Sequence, residues 1–192
     1  MKFVGLLLAA GAATRFGSDK LRHNLPHGVA IAVQAARHLK SELPRVIAVV
    51  SPAAQALATE LRGEGCEIVV CENAADGMGA SLACAARAAG EVDGYVIALG
   101  DMPFVRRATI AAVRDALAKG APLAAPYFRA HRGHPVGISH KFTAQLLALE
   151  GDEGAKALLA AHEREIVKIP VGDPGSVRDI DRPEDLAPPS RV

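Results

Sequence analysis

The sequence predicts a three-layer α/β/α fold with a mostly parallel sheet, and three observations carry that reading. Apolar strand-like runs alternate with segments of helical periodicity through the first two thirds of the chain. Those runs are apolar almost throughout rather than at every second residue, as in strands covered on both faces. Half of the residues are hydrophobic, yet only 4% are aromatic and Trp is absent, so the core is built from Ala, Val, Leu and Ile packed between layers. At 192 residues the chain suits one such domain, residues 1–192, rather than two.

The elements follow in order. Phe3 to Ala9 is a short buried strand and Val29 to Glu42 a helix. Val46 to Val50, Glu67 to Cys71 and Tyr95 to Leu99 repeat the strand pattern, separated by helices over Ala53 to Arg62 and Gly79 to Ala89. A helix over Arg106 to Lys119 leads to a strand over Pro122 to Ala125. After Pro126 the pattern changes. Tyr127 to Arg129 and Val136 to Ser139 are expected to form a hairpin, followed by helices over Lys141 to Leu149 and Glu153 to His162. Arg164 to Ile169 is a late strand, Val177 to Asp181 a short return, and Pro183 opens a terminal helix. Asp181, with Glu184 three residues on, gives that helix a capping-box-like start. The tail from Ala187 is expected to be disordered.

The formal net charge is +1 and no Lys/Arg run is present, which gives no reason to expect nucleic acid or an anionic membrane as partner. No apolar run reaches the roughly 20 residues that span a bilayer. Cys66, Cys71 and Cys84 show neither CxxC nor a neighbouring His pair, so we expect buried thiols in a reducing cytoplasm rather than zinc or a disulfide framework. Met1-Lys2 followed by an apolar run also has the outline of a secretory leader. Its removal would take the first strand and the loop after it, so we read the segment as part of the fold.

That loop is the most informative feature. Leu8-Ala9-Ala10-Gly11-Ala12-Ala13-Thr14-Arg15-Phe16-Gly17-Ser18-Asp19-Lys20 joins an apolar strand to a run of small residues carrying two cations. Small side chains let successive backbone N–H groups turn toward a ligand, and Arg15 and Lys20 supply the countercharge that a nucleoside triphosphate needs. The spacing fits neither a Walker A loop nor a GxGxxG dinucleotide fingerprint.

In an open α/β sheet, ligands gather beyond the carboxyl ends of the strands. Two more unusual segments follow predicted strands: Glu72 to Ser81, which contains Gly77-Met78-Gly79-Ala80-Ser81-Leu82, and Leu99-Gly100-Asp101-Met102-Pro103. A carboxylate at Asp101 suits a hard cation such as Mg²⁺, although Asp at such a position also reads as a turn or cap residue. Arg178-Asp179-Ile180-Asp181-Arg182-Pro183-Glu184-Asp185 leaves Asp179 spare once Asp181 caps a helix. Gly133-His134-Pro135-Val136 and Gly151-Asp152-Glu153-Gly154 complete the set. His134 also reads as a hairpin residue making a local hydrogen bond, and Asp152 as a helix cap.

These segments, in this order, resemble the nucleotidyltransferases related to molybdenum-cofactor cytidylyltransferase, whose motifs are LAAGxxxRFGxxK, GMGxSL, LGDMP, GHPV, GDxGA and DIDTPED. The likeness runs from Phe3 to about Leu186. It departs after Lys20, where Pro26-His27-Gly28 replaces the usual Gly-x-Pro turn, and at Arg182, which replaces Thr. The resemblance implies a Rossmann-like nucleotidyltransferase fold, with a nucleotide part over about residues 1–105 and an acceptor part over about 106–186. It implies nucleotide contacts at Leu8, Ala9, Ala10, Gly11, Arg15, Lys20, Gly77, Gly79 and Ser81, and catalytic roles for Arg15, Lys20 and Asp101. It implies metal ligation by Asp101 and Asp179, with Asp181 the lesser candidate, and an acceptor contact at His134. The cofactor is then Mg²⁺, CTP is the favoured nucleotide because Ala10 stands where guanylyl relatives have Gly, and a molybdopterin-type molecule is the acceptor, with a molybdenum hydroxylase as a possible protein partner. Relatives acting on another phosphorylated acceptor, or serving as oxidoreductases or cofactor-insertion helpers, share the same motifs.

Overall fold

Strand β1 (Phe3–Leu8) turns Val4 and Leu6 to one side of the sheet and Leu7 to the other, all completely buried, because a period of two serves both faces only when every position is apolar. In the computed structural model, which describes residues 1–11, 19–152 and 154–187, β1 is an interior strand. It pairs in parallel with β2 (Arg45–Val50) and β4 (Gly94–Leu99), and β2 pairs in parallel with β3 (Glu67–Val70). Arg15 with the rest of 12–18, Glu153, and the tail from residue 188 lie outside the described residues.

The sheet is mixed and eight-stranded, in the order β3-β2-β1-β4-β7-β5-β6, with β8 on the free side of β5. β5 is Leu123–Phe128, β6 His131–Arg132, β7 Val136–Ser139 and β8 Ile166–Pro170. β7 runs antiparallel between β4 and β5, and β5 pairs in parallel with β8. The second part of the chain therefore extends the sheet of the first. One face is covered by α1 (Ile31–Glu42), α2 (Gln55–Gly63) and α4 (Arg107–Ala118), and the other by α3 (Met78–Ala89), α5 (Thr143–Leu147) and α6 (Lys156–Ala161).

The differences from expectation fall after residue 120. The two strands anticipated on either side of Pro126 are one strand, in which Pro126 sits opposite Ile169 of β8 and its carbonyl accepts the Gly133 N–H. The hairpin partner of Tyr127 and Phe128 is the two-residue β6, while Val136 to Ser139 inserts beside β4. Residues 177–181 form no strand, and Pro183–Leu186 is a single 3₁₀ turn. Its cap is shifted by one residue: the Asp185 carboxylate accepts the backbone N–H groups of Asp181 (3.1 Å) and Arg182 (2.9 Å), which leaves the Asp181 side chain uncommitted.

Gly5 sets how closely α1 approaches β1: a Cβ there would stand 2.9 Å from Leu39 Cγ and Cδ2. We expect Gly5→Val to destabilise the protein by about 1–3 kcal/mol through overpacking, measured by urea denaturation.

His38 ties α1 to the loop after β4. Its Nδ1 donates to the Val105 carbonyl (2.8 Å) while Nε2 faces the Gln34 amide nitrogen (2.6 Å), an arrangement that suits the neutral ring, which accepts at Nε2. Burial holds the His38 pKa below its ordinary value. A depressed folded-state pKa means that stability is complete above the unfolded value of about 6.5 and falls as pH drops through it. We expect the urea midpoint to fall between about pH 7.5 and 5.5, and His38→Gln to flatten that dependence.

Candidate functional site

Strands β1, β2, β3 and β4 end at one edge of the sheet, and the segments after them enclose a cleft of about 540 Å³, within the range of small-ligand sites. β1 contributes Leu8, Ala10 and Gly11, the end of β2 contributes Ser51, and the loop before α3 contributes Ala74, Ala75 and Gly77. The end of β4 contributes Leu99 and Asp101. Ladder hydrogen bonding continues past the strand ends: Ala9 N–H donates to Val49 and Gly100 N–H to Leu8, both at 2.9 Å. A side chain at Gly100 would stand 3.1 Å from the Leu8 oxygen and 3.3 Å from Ala9 Cβ. The small pair thus lets the Asp101 segment lie directly against the start of the first loop.

Lys20 opens a 3₁₀ turn anchored by the buried Leu21 and by Arg22, whose guanidinium holds Glu60 of α2 at 2.8 Å. So placed, the Lys20 ammonium reaches Asp101 Oδ2 at 2.9 Å and Asp181 Oδ1 at 3.4 Å, with only 13% of its side chain exposed. Burial works against its charge, but the hydrogen bond and charge of Asp101, reinforced by Asp181, outweigh that and raise its pKa.

Asp179 completes a trio with Asp101 and Asp181, in which one carboxylate oxygen from each lies within 4.8 Å of the others. The trio has a simple local origin. Ile180 is fully buried and its N–H donates to the Asp101 carbonyl at 2.9 Å, so the aspartates on either side of it face out toward Asp101. The segment is anchored further back by the buried Asp173, which accepts the Arg106 N–H (2.9 Å), the Thr109 hydroxyl (2.6 Å) and the Gly175 N–H (3.0 Å). Among the described residues one ammonium faces three carboxylates, which leaves the cluster short of positive charge. Burial first, then the charges of Asp181 and Asp101, push the Asp179 carboxyl above its usual range. An all-oxygen donor set with this charge fits a hard divalent cation.

Both glycines at the start of α3 seat the 150–152 loop, since a Cβ at Gly77 would stand 2.5 Å from the Gly151 carbonyl oxygen. Gly77, at φ 125°, lines the cleft with Met78 and Ser81, and Ser81 Oγ donates back to the Gly77 carbonyl at 3.4 Å. Gly79 does not line the cleft: its N–H donates to the Gly151 carbonyl at 2.7 Å, and a Cβ on it would stand 2.5 Å from the Glu150 oxygen. It serves with Gly77 as the seat for the 150–152 loop, which brings Asp152 to the cleft.

Of the residues singled out in the sequence, Leu8, Ala10, Gly11, Lys20, Gly77, Ser81 and Asp101 line the cleft, and Asp179 stands beside Asp101. Ala9 is 2% exposed and packs in the core on the α1 face. His134 is not among the cleft-lining residues either, but it stands close enough to Asp101 to feel its charge: burial lowers its pKa against the raising influence of the Ile97 backbone and the Asp101 carboxylate, and its buried Nδ1 has no well-aligned hydrogen-bond partner among the described residues. Arg15 is outside the described residues. Sequence reasoning missed Ser51, which the strand-end rule finds when applied to β2. It also read Asp152 as a cap, whereas α6 starts only at Lys156.

The profile of the MobA-like NTP transferase domain matches residues 5–166. The chain belongs to this family. No match is found among curated proteins. Among solved structures, the MobA-like chain is similar to Rv0371c from Mycobacterium tuberculosis H37Rv, with 26% identity, a TM-score of 0.80, and coverage of 96% of this chain and 94% of the other. Rv0371c is also known in complex with manganese (24%, TM-score 0.75, 96% of each chain). Similar in fold are the nucleotidyl transferase Mth528 from Methanothermobacter thermautotroptrophicus (21%, 0.79, 96% and 94%) and molybdopterin-guanine dinucleotide biosynthesis protein A from Archaeoglobus fulgidus (21%, 0.66, 95% and 94%). The family match ends before Asp179 and Asp181, so the carboxylate trio is an observation of the structure itself.

Because Gly79 seats the 150–152 loop, Gly79→Ala is expected to displace Asp152 from the cleft and to weaken nucleotide binding about tenfold or more, read by titration calorimetry, at a stability cost of about 1–3 kcal/mol.

Proposed function

We propose that this nucleotidyltransferase moves CMP from CTP to the terminal phosphate of a molybdopterin-type acceptor, releasing pyrophosphate, with Mg²⁺ as its metal. The observation that carries the reading is the convergence of Lys20, Asp101, Asp179 and Asp181 at one end of a cleft lined by the small-residue loop.

In the reaction, an acceptor phosphate oxygen attacks the α-phosphorus, the bond to the bridging oxygen of the β-phosphate breaks, and the electron pair leaves with pyrophosphate. An acceptor phosphomonoester is largely dianionic at neutral pH, so no general base is required of the protein. Catalysis rests on positioning and on charge stabilisation where charge develops. A Mg²⁺ ion held by Asp101 with Asp179 or Asp181 would polarise the α-phosphate and offset its charge. The Lys20 ammonium, charged and largely buried, would stabilise the departing pyrophosphate, with Arg15 as its partner from the same loop. Ala10 and Gly11 would keep the wall thin enough for backbone groups to approach phosphate and ribose. Acceptor choice would then reside in residues 127–162, and a molybdenum hydroxylase receiving the product is the protein partner this reading implies.

The deciding experiment incubates the protein with Mg²⁺, molybdopterin cofactor and each NTP in turn and follows pyrophosphate release. Release with CTP is expected; release only with another NTP would reassign the base, and release only with another phosphorylated acceptor would reassign the acceptor. Asp101→Asn is expected to lower the rate by about 10²- to 10³-fold, and Lys20→Ala by about 10- to 100-fold, with unchanged far-UV circular dichroism.

A further inference from the structure

Outside the cleft, two thiols meet on the α3 face of the sheet. Cys71 follows β3, and Cys84 lies in the middle of α3; their sulfurs are 2.6 Å apart. Both thiols point at one acceptor, Asn73 Oδ1, at 3.2 Å and 3.8 Å, and Cys71 also donates to the Ala80 carbonyl at 3.7 Å. The separation is about half an ångström beyond a disulfide bond of about 2.05 Å, so closing it asks for little movement. The two residues differ in access. Cys71 is fully buried, whereas Cys84 is partly exposed and opens into a second cavity, of about 500 Å³, beside Asn73, Asp76 and Arg87. The third thiol, Cys66, is buried in the core on the opposite face of the sheet.

We propose that Cys71 and Cys84 form a reversible disulfide site that clamps the loop over residues 72–77 to α3 when a low-molecular-weight disulfide is present. The Cys84 thiolate attacks one sulfur of the small disulfide, forming a mixed disulfide and releasing one small thiolate. Cys71 then gives its proton to water and attacks Cys84 Sγ, forming the protein disulfide and releasing the second small thiolate; the two small thiolates take up the two protons that Cys84 and Cys71 gave to solvent. Two protein thiols are oxidised, one small disulfide is reduced to two thiols, and the cycle reverses with excess dithiol. Cys84 is the attacking residue because it is the one a reagent can reach. Burial, together with the neighbouring Cys84, pushes the Cys71 thiol up to about 11 and so keeps it inert to reagents in solution; contact with Cys84 Sγ is what lets it act in the intramolecular second step.

The clamped loop carries Ala74, Ala75 and Gly77 of the nucleotide cleft. Because closure needs so small a shift, it is expected to stiffen that wall without reshaping it, and so to act on stability. The inference is independent of which nucleotide or acceptor the cleft takes.

The test treats the whole protein with oxidised glutathione and maps its disulfides by peptide mass. The expected result is a Cys71–Cys84 bridge, Cys66 still free, reversal by dithiothreitol, and a thermal midpoint raised by several degrees, on the order of 3–6 °C. Cys71→Ser should trap glutathione on Cys84, and Cys84→Ser should yield neither adduct nor bridge. Three free thiols after oxidation of the wild-type protein, or a bridge that includes Cys66, would overturn the site. A midpoint that stays level or falls would overturn the clamp. Mapping of the wild-type protein decides the question even where a variant fails to fold.

Discussion

The site depends on like charges being held together. Asp101, Asp179 and Asp181 come from two segments far apart in sequence and bring carboxylate oxygens within 4.8 Å of one another, an arrangement that repels itself unless something offsets it. Lys20 offsets part of it, reaching across 81 residues to Asp101 and 161 residues to Asp181. Such long-range pairs exist only because strand pairing has already fixed both backbones: β1 and β4 lie side by side, and the Ile180 N–H is bonded to the Asp101 carbonyl. Apolar burial and the backbone ladder therefore do the assembling, and the charged groups take up positions that the core imposes. Among the described residues the compensation is incomplete, a charge balance of the kind that suits a divalent cation.

The same division explains what was legible in the sequence. β1, β2, β3 and β4 announce themselves because strands buried on both faces are apolar at nearly every position, and their helices carry the complementary periodicity. Their order in the sheet then sends the loops after them to one edge. The later strands are less legible because their partners are non-local. Pro126 looks like a break, yet its strand continues, since its pairing with β8 does not fail for want of one N–H. Val136 to Ser139 does return antiparallel to β5, but against Leu123 and Ala124 rather than Tyr127, and its other edge is taken by β4. At the site, residues named by their backbone context fell at the cleft, as with Gly77 and Asp101. Ala9 and Gly79, equally prominent in the motifs, turn their small size toward the core and toward the 150–152 loop. A motif records that a residue must be small, but not which neighbour requires it.

The cap of the last turn is a compact case. Asp181 and Glu184 have capping-box spacing, so local reasoning spends Asp181 on the backbone. The structure instead spends Asp185, whose carboxylate takes two backbone N–H groups. A shift of one residue thus changes Asp181 from a structural group into a partner of Lys20, and the one local sign of it is Asp185, three residues beyond the true cap at Arg182.

The latch at Asp173 reaches beyond its local hydrogen bonds. It joins the segment carrying Asp179 and Asp181 to the start of α4, only a few residues beyond Asp101. All three carboxylates are therefore referenced to one short stretch of backbone, and the region from Tyr127 to His162 is tied to the same latch, since the His134 N–H donates to the Ser176 carbonyl at 2.7 Å and the Ser176 hydroxyl to the Asp173 carbonyl. The two halves are thus mechanically joined: a change that moves the turn at Gly133 and His134 pulls on the segment that carries Asp179 and Asp181.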